Sequence, residues 1–157
     1  MKKIPNIFGL IDSTQIRIIG PSTNEDHYIN RKGFHSINTQ IVCDHKNVIT
    51  NVSAKWPGSV HDSTVLQNSS LWDHYVRPRA DGQRAAMGLL LGDSGYPCKN
   101  WLLTPYKVPI NTQAKERFNR YLYTCTRCVS YTNANTYLFK KYMTTVWYSK
   151  KDLMLYI

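Results

Sequence analysis

Two acids stand where chemistry is readily built. Asp12 closes the apolar run Ile7-Phe8-Gly9-Leu10-Ile11, and Asp93 closes Met87-Gly88-Leu89-Leu90-Leu91-Gly92. Such runs read as strands, and if the two strands are neighbours in one sheet, both carboxylates leave the same edge. Converging carboxylates raise one another's pKa unless a divalent cation neutralises them. Oxygen ligands alone favour Mg²⁺ or Mn²⁺ over zinc, and a pair of such ions can drive an in-line phosphoryl displacement. The plainer alternative is that each Asp only makes a turn or caps a helix.

Basic residues offer a matching surface. Arg31 and Lys32, before Gly33-Phe34-His35, can track phosphates while Phe34 or His35 packs near a base. They can equally be two solvated cations beside a core aromatic. His61 can orient Asp62 or touch a phosphate, or it can stand at a helix start with no chemistry. Arg77, Arg79 and Arg84 form a loop cluster suited to backbone contact, although exposed arginines are ordinary. Lys and Arg outnumber Asp and Glu by 20 to 10, a net charge of +10. That balance suits a polyanion, because each phosphate contact releases condensed counterions. Nucleic acid is one partner this charge suits, although many small basic proteins bind nothing acidic.

Cysteine chemistry is not indicated. Cys43 and Cys98 are isolated, and Cys125 and Cys128 form one C-x-x-C pair with no second pair to complete a zinc site. The pair lies in a polar, basic segment and reads as two thiols on one flank of a helix, reduced in an intracellular protein.

The elements that must position the acids follow from periodicity and turn residues. Residues 7–12 and 15–18 form a strand or bent hairpin before Gly20-Pro21. Ser36 to Cys43 and Asn47 to Lys55 alternate as half-buried strands, and the short Asp44-His45-Lys46 link makes them an antiparallel hairpin. A helix opens at His61-Asp62-Ser63 and carries Val65, Leu66, Ser69 and Trp72 near helical spacing, with Ser59 or Asp62 as its cap. The buried strand ending at Asp93 follows, then Trp101 to Pro105 as a short strand or turn. Asn111 to about Val129 is helical, with Ala114, Phe118, Leu122 and Cys125 on one stripe. Strand, strand, strand, helix, strand, short strand, helix is mixed α/β.

The wider frame is an ordinary one. The 157 residues suit one domain, 42% hydrophobic and 19% charged, with no internal repeat. No apolar run is long enough to span a membrane, and the N-terminus does not read as a signal peptide. Lys140-Lys141 and Lys150-Lys151 are too sparse to make a nuclear-import signal.

Four strings then occur in order: Gly9-Leu10-Ile11-Asp12-Ser13-Thr14-Gln15-Ile16, Asn30-Arg31-Lys32-Gly33-Phe34-His35-Ser36-Ile37-Asn38, Lys55-Trp56-Pro57-Gly58-Ser59-Val60-His61-Asp62-Ser63, and Leu91-Gly92-Asp93-Ser94-Gly95-Tyr96-Pro97. With Trp101-Leu102-Leu103-Thr104-Pro105 they closely resemble the PIF/Harbinger transposase family and the nucleases derived from it, from about Gly9 to Val129. The resemblance implies a ribonuclease-H-like fold, a mixed five-stranded sheet with flanking helices, carrying a DDE metal site for phosphodiester hydrolysis. It makes Asp12 the first acid of the triad, Asp93 the acid after the fourth strand, and Asp62 a further acid near the Mg²⁺ or Mn²⁺ ions. It also implies a nuclear location, with the cytoplasm second, and a Myb-like DNA-binding partner, with no membrane or small-molecule cofactor.

The family's last acid is a Glu on a late helix, and Tyr131 stands at its place here. Glu116 lies in an upstream Glu-Arg-Phe-Asn string that the family also has. The expectation is therefore a nuclease core over residues 1–129, a divergent tail over 130–157, an incomplete late helix, and a chain truncated at both ends. Two functions stay open: a metal-dependent DNA endonuclease weakened by the missing Glu, and a non-catalytic nucleic-acid- or protein-binding remnant.

Overall fold

β-Branched and leucine-rich runs assemble into one five-stranded sheet, seen in a computed structural model that describes residues 4–46, 48–76 and 88–131. The strands are β1 (Ile7–Arg17), β2 (Ser36–Cys43), β3 (Ile49–Pro57), β4 (Leu89–Leu91) and β5 (Leu102–Leu103), in the spatial order β3-β2-β1-β4-β5. β1, β2 and β3 are antiparallel neighbours, whereas β4 runs parallel to β1 and β5 parallel to β4. This is the mixed α/β sheet the element order predicts, hairpin included. Residues 7–18 do not fold back as a hairpin; β1 is one strand of 11 residues.

Every residue of β2 is buried, so it is not the half-buried strand its partial alternation suggests: it has a neighbour on each side and both of its faces are covered. On one face, Ile11, Val42, Leu90 and Leu102 pack with Leu66, Leu71, Tyr75, Tyr96 and Trp101. Tyr75 stacks on Trp101 with 4.4 Å between ring centroids, and Trp72 meets the same indole edge-on at 5.8 Å. Burial pushes the Tyr75 phenol up to about 12, and its hydroxyl donates to the Gly88 carbonyl at 2.9 Å.

The helix predicted from His61 onward is two helices, α1 (Asp62–Gln67) and α2 (Ser70–Val76). Ser69 divides them. Its hydroxyl donates to the Leu66 carbonyl at 2.6 Å and accepts from the Trp72 amide at 3.2 Å, ending one helix and starting the next. Neither Ser59 nor Asp62 is the cap of α1: His61 holds that position without a side-chain cap bond, and Asp62 is the first helical residue. There its charge suits the helix N-terminus.

α3 (Gln113–Tyr131) packs against β4. Leu122 is fully buried and Asn119 nearly so, but Ala114 is exposed, so the buried stripe begins later than the apolar pattern predicts. Among the described residues no helix is long and apolar enough to cross a membrane.

Candidate active site

Asp93 lies two residues past the end of β4, where the chain leaves the sheet. The Gly95 amide donates to Asp93 Oδ1 at 2.9 Å and the Tyr96 amide to its carbonyl at 3.3 Å, so Asp93 folds its own turn. Asp62 arrives from the start of α1. Asn38, buried at the middle of β2, donates from Nδ2 to Asp62 Oδ1 and to the Val60 carbonyl, both at 2.8 Å. One strand side chain thus ties the incoming loop and the acid to the sheet.

The two carboxylates meet around Gly95. A methyl group at Gly95 would stand 2.9 Å from Asp62 Oδ2 and 3.1 Å from Asp93 Oδ1, so glycine lets the two acids close on this point undisturbed. The atoms packed around the Asp93 carboxyl push it above the ordinary carboxylate range, and the like charge of Asp62 adds to this. The Gly95 amide and the Arg31 charge act in the opposite direction.

Asp12 is not at a strand end, contrary to the sequence reading. It lies in the middle of β1, but β4 pairs only as far as Leu10, so Asp12 sits just beyond the point where β4 stops. Its edge relation to Asp93 therefore survives, because β1 and β4 are adjacent and parallel. The sides differ, however. In the β1–β2 ladder Asp12 pairs with Ile41 and Ser13 with Gln40, so by alternation Asp12 faces away from the side that carries Asn38 and Asp62. Among the described residues, no three His, Cys, Asp or Glu side chains gather closely enough to hold one ion. The donor chemistry fits a hard divalent cation, since the groups are carboxylates and two of them are adjacent. The third is not in the same cluster.

Tyr96 joins the acid-bearing segments and was not singled out in the sequence. Its buried hydroxyl is 2.6 Å from Ser13 Oγ, which links the Asp93 turn to the residue after Asp12. Burial raises its phenol, against the bond to Ser13, and the charges of Asp62, Asp12 and Asp93 raise it further. Asn38 was also missed; the signal was a polar amide at a position the sheet buries. Arg31 is exposed and close enough for its charge to act on Asp93, whereas Lys32 and His61 are exposed without a resolved tie to the acids. Arg77, Arg79 and Arg84 lie outside the described residues, as does nearly all of 130–157. Tyr131 is the last residue of α3, and Glu116 is in its first turn.

Comparison with known proteins follows the same lines. The family description "DDE superfamily endonuclease" matches residues 11–142. The chain is 38% identical over 117 residues to "Putative nuclease HARBI1" of Mus musculus, covering 74% of this chain and 32% of that protein. It is 36% identical over 116 residues to the protein of the same name in Homo sapiens, with the same two coverages of 74% and 32%. It is 31% identical over 128 residues to "Protein ALP1-like" of Arabidopsis thaliana, covering 74% of this chain and 31% of that one. The chain thus spans about a third of the length of these relatives. No solved structure matches.

Proposed function

The chain belongs to the DDE superfamily endonuclease family, with Harbinger-derived nucleases as its relatives, and on that premise we propose that it hydrolyses phosphodiester bonds of DNA. Endonucleases of this superfamily generally depend on a divalent metal. The observation that carries the reading is the meeting of Asp62 and Asp93 around Gly95, at the open end of β4.

In this reading Asp93 and Asp62 would hold Mg²⁺ or Mn²⁺, with Asp12 as the third acid across the sheet edge. A bound divalent ion would neutralise the paired carboxylates and polarise the phosphoryl group. Arg31 draws the phosphate toward Asp93, and the exposed Lys32 and His61 add contacts for the strand. Asn38 and Tyr96 hold the acids in place from behind. Water attacks phosphorus and releases a proton to solvent, the P–O bond to the leaving sugar oxygen breaks, and that oxygen takes up a proton from solvent. The protein works on DNA in the nucleus beside a Myb-like partner that adds sequence specificity.

Titration calorimetry with Mn²⁺ tests the reading directly. The intact chain should give saturable heat that Asp93→Asn abolishes, and Mn²⁺-dependent nicking of plasmid DNA should disappear with the same substitution. Equal heats from both proteins would sink the assignment.

The spread of the three aspartates over two faces favours a second reading, a DNA-binding domain that no longer turns over. That protein would bind duplex with steep salt dependence and give no Asp93-dependent nicking.

A further inference from the structure

A cavity of about 580 Å³ opens beside the paired acids, within the size range of small-ligand pockets. Its lining includes Ser63 and Ser94, the residues that directly follow Asp62 and Asp93, together with Thr104, Tyr106, Lys107 and Phe118. The aromatic part of the lining is built firmly. The Tyr106 and Phe118 rings meet edge-on with centroids 5.4 Å apart, and Lys115 Nζ lies 5.3 Å from the Tyr106 centroid.

A clamp from Asn119 holds the Tyr106 backbone in place. Asn119 of α3 accepts from the Tyr106 amide at 2.8 Å and donates to its carbonyl at 2.9 Å. Asn119 is buried, while Tyr106 as a residue stays 49% exposed, so the loop is pinned and Tyr106 has surface to offer a partner.

We infer that this cavity receives one unstacked nucleotide of the DNA strand, next to the phosphate that a divalent ion at Asp62 and Asp93 would take. The inference rests on the nuclease reading and deepens it by naming the form of substrate. The ring of the exposed Tyr106 suits a base, whose π-face stacks on any aromatic ring. The serine and threonine hydroxyls can donate to or accept from base edges, and Lys107 lies where an adjoining phosphate can be met. A paired base cannot enter such a pocket without leaving its stack, so the site favours strands already opened at one nucleotide. A mismatch, a bulge or a strand end supplies that form at least cost.

Fluorescence anisotropy on the intact chain tests this with three duplexes of one sequence: fully paired, with a single bulged adenine, and with an abasic residue at the bulge. The bulged duplex should bind about tenfold more tightly than the other two. Tyr106→Ala should bring the bulged and paired affinities within about twofold of each other, and Tyr106→Phe should restore the difference. The clamp uses only backbone atoms of residue 106, so both variants keep it. Equal binding of all three duplexes by the unmodified chain would overturn the pocket while leaving the nuclease reading standing. A bulge preference that survives in Tyr106→Ala would also overturn it. Absence of salt-sensitive binding to any duplex would remove the nucleic-acid premise itself.

Discussion

On one side of β1 the sheet is long and antiparallel, with eight residues in β2 and nine in β3; on the other it is short and parallel, with three in β4 and two in β5. The long side is held by its ladders. The short side has few ladder bonds, and its position depends on the side chains of Leu90, Leu102, Tyr75 and Trp101 packed beneath it. The difference shows how the site is made. Because β4 stops early, the chain leaves the sheet at Asp93, beside a stretch of β1 that continues for several residues. The acids sit where a rigid half outruns a short one.

The comparison breaks most readily at Trp101. Trp101→Ala removes the ring that Tyr75 stacks on and Trp72 meets edge-on, at a cost of about 3–5 kcal/mol in urea unfolding. A loss under 1 kcal/mol would mean that the short strands hold themselves. Asn38→Ala tests the long half where it supports the site. It deletes both donors to Val60 and Asp62 from a buried position and should cost about 1–3 kcal/mol. Mn²⁺ heat should fall with it, since Asp62 loses its tether.

Gly95→Ala separates site from fold. The added methyl meets only carboxylate ends, which can swing away, so the unfolding free energy should change by no more than about 0.5 kcal/mol. The Mn²⁺ heat should nonetheless drop, because the methyl takes the space between the two acids. Unchanged calorimetry would show that the ion, if bound, sits elsewhere.

The smallest effect is expected at the β2–β3 turn. Amide bonds from Val48 and then Lys46, at 2.9 and 2.8 Å, hold the Asp44 carboxyl below its ordinary range. A carboxyl with a lowered folded pKa stabilises above its unfolded pKa and loses that contribution as pH falls through the lowered value. The Asp44→Ala variant should therefore melt slightly below the parent at neutral pH, and the two curves should merge in acid.

Periodicity and turn residues were enough to reveal the strands and their hairpin, because 36–43 and 47–55 are two strand-like runs joined by the short polar Asp44-His45-Lys46 link. They did not reveal the division of α1 from α2. That depends on one hydroxyl, Ser69, bonding in both directions, whereas the apolar spacing from Val65 to Trp72 runs on unbroken. At the site, Asp93 and its turn were legible from the Gly-Asp-Ser-Gly string. The side of the sheet that Asp12 takes was not, since it depends on pairing with Ile41, and register is a property of two strands together. Asn38 escaped notice for a related reason: its function lies in reaching a loop 22 residues away, at Val60.

The clamp between Asn119 and Tyr106 also ties two clocks together. The Tyr106 amide sits in a loop, where backbone hydrogens usually exchange with solvent quickly. Here it is bonded to a side chain buried on α3, so it opens only when that helix lets go. In deuterium exchange, residue 106 should keep the pace of Asn119's own helix turn and not that of its loop neighbours. A single loop amide would then report, from outside the helix, how often α3 undocks from the sheet.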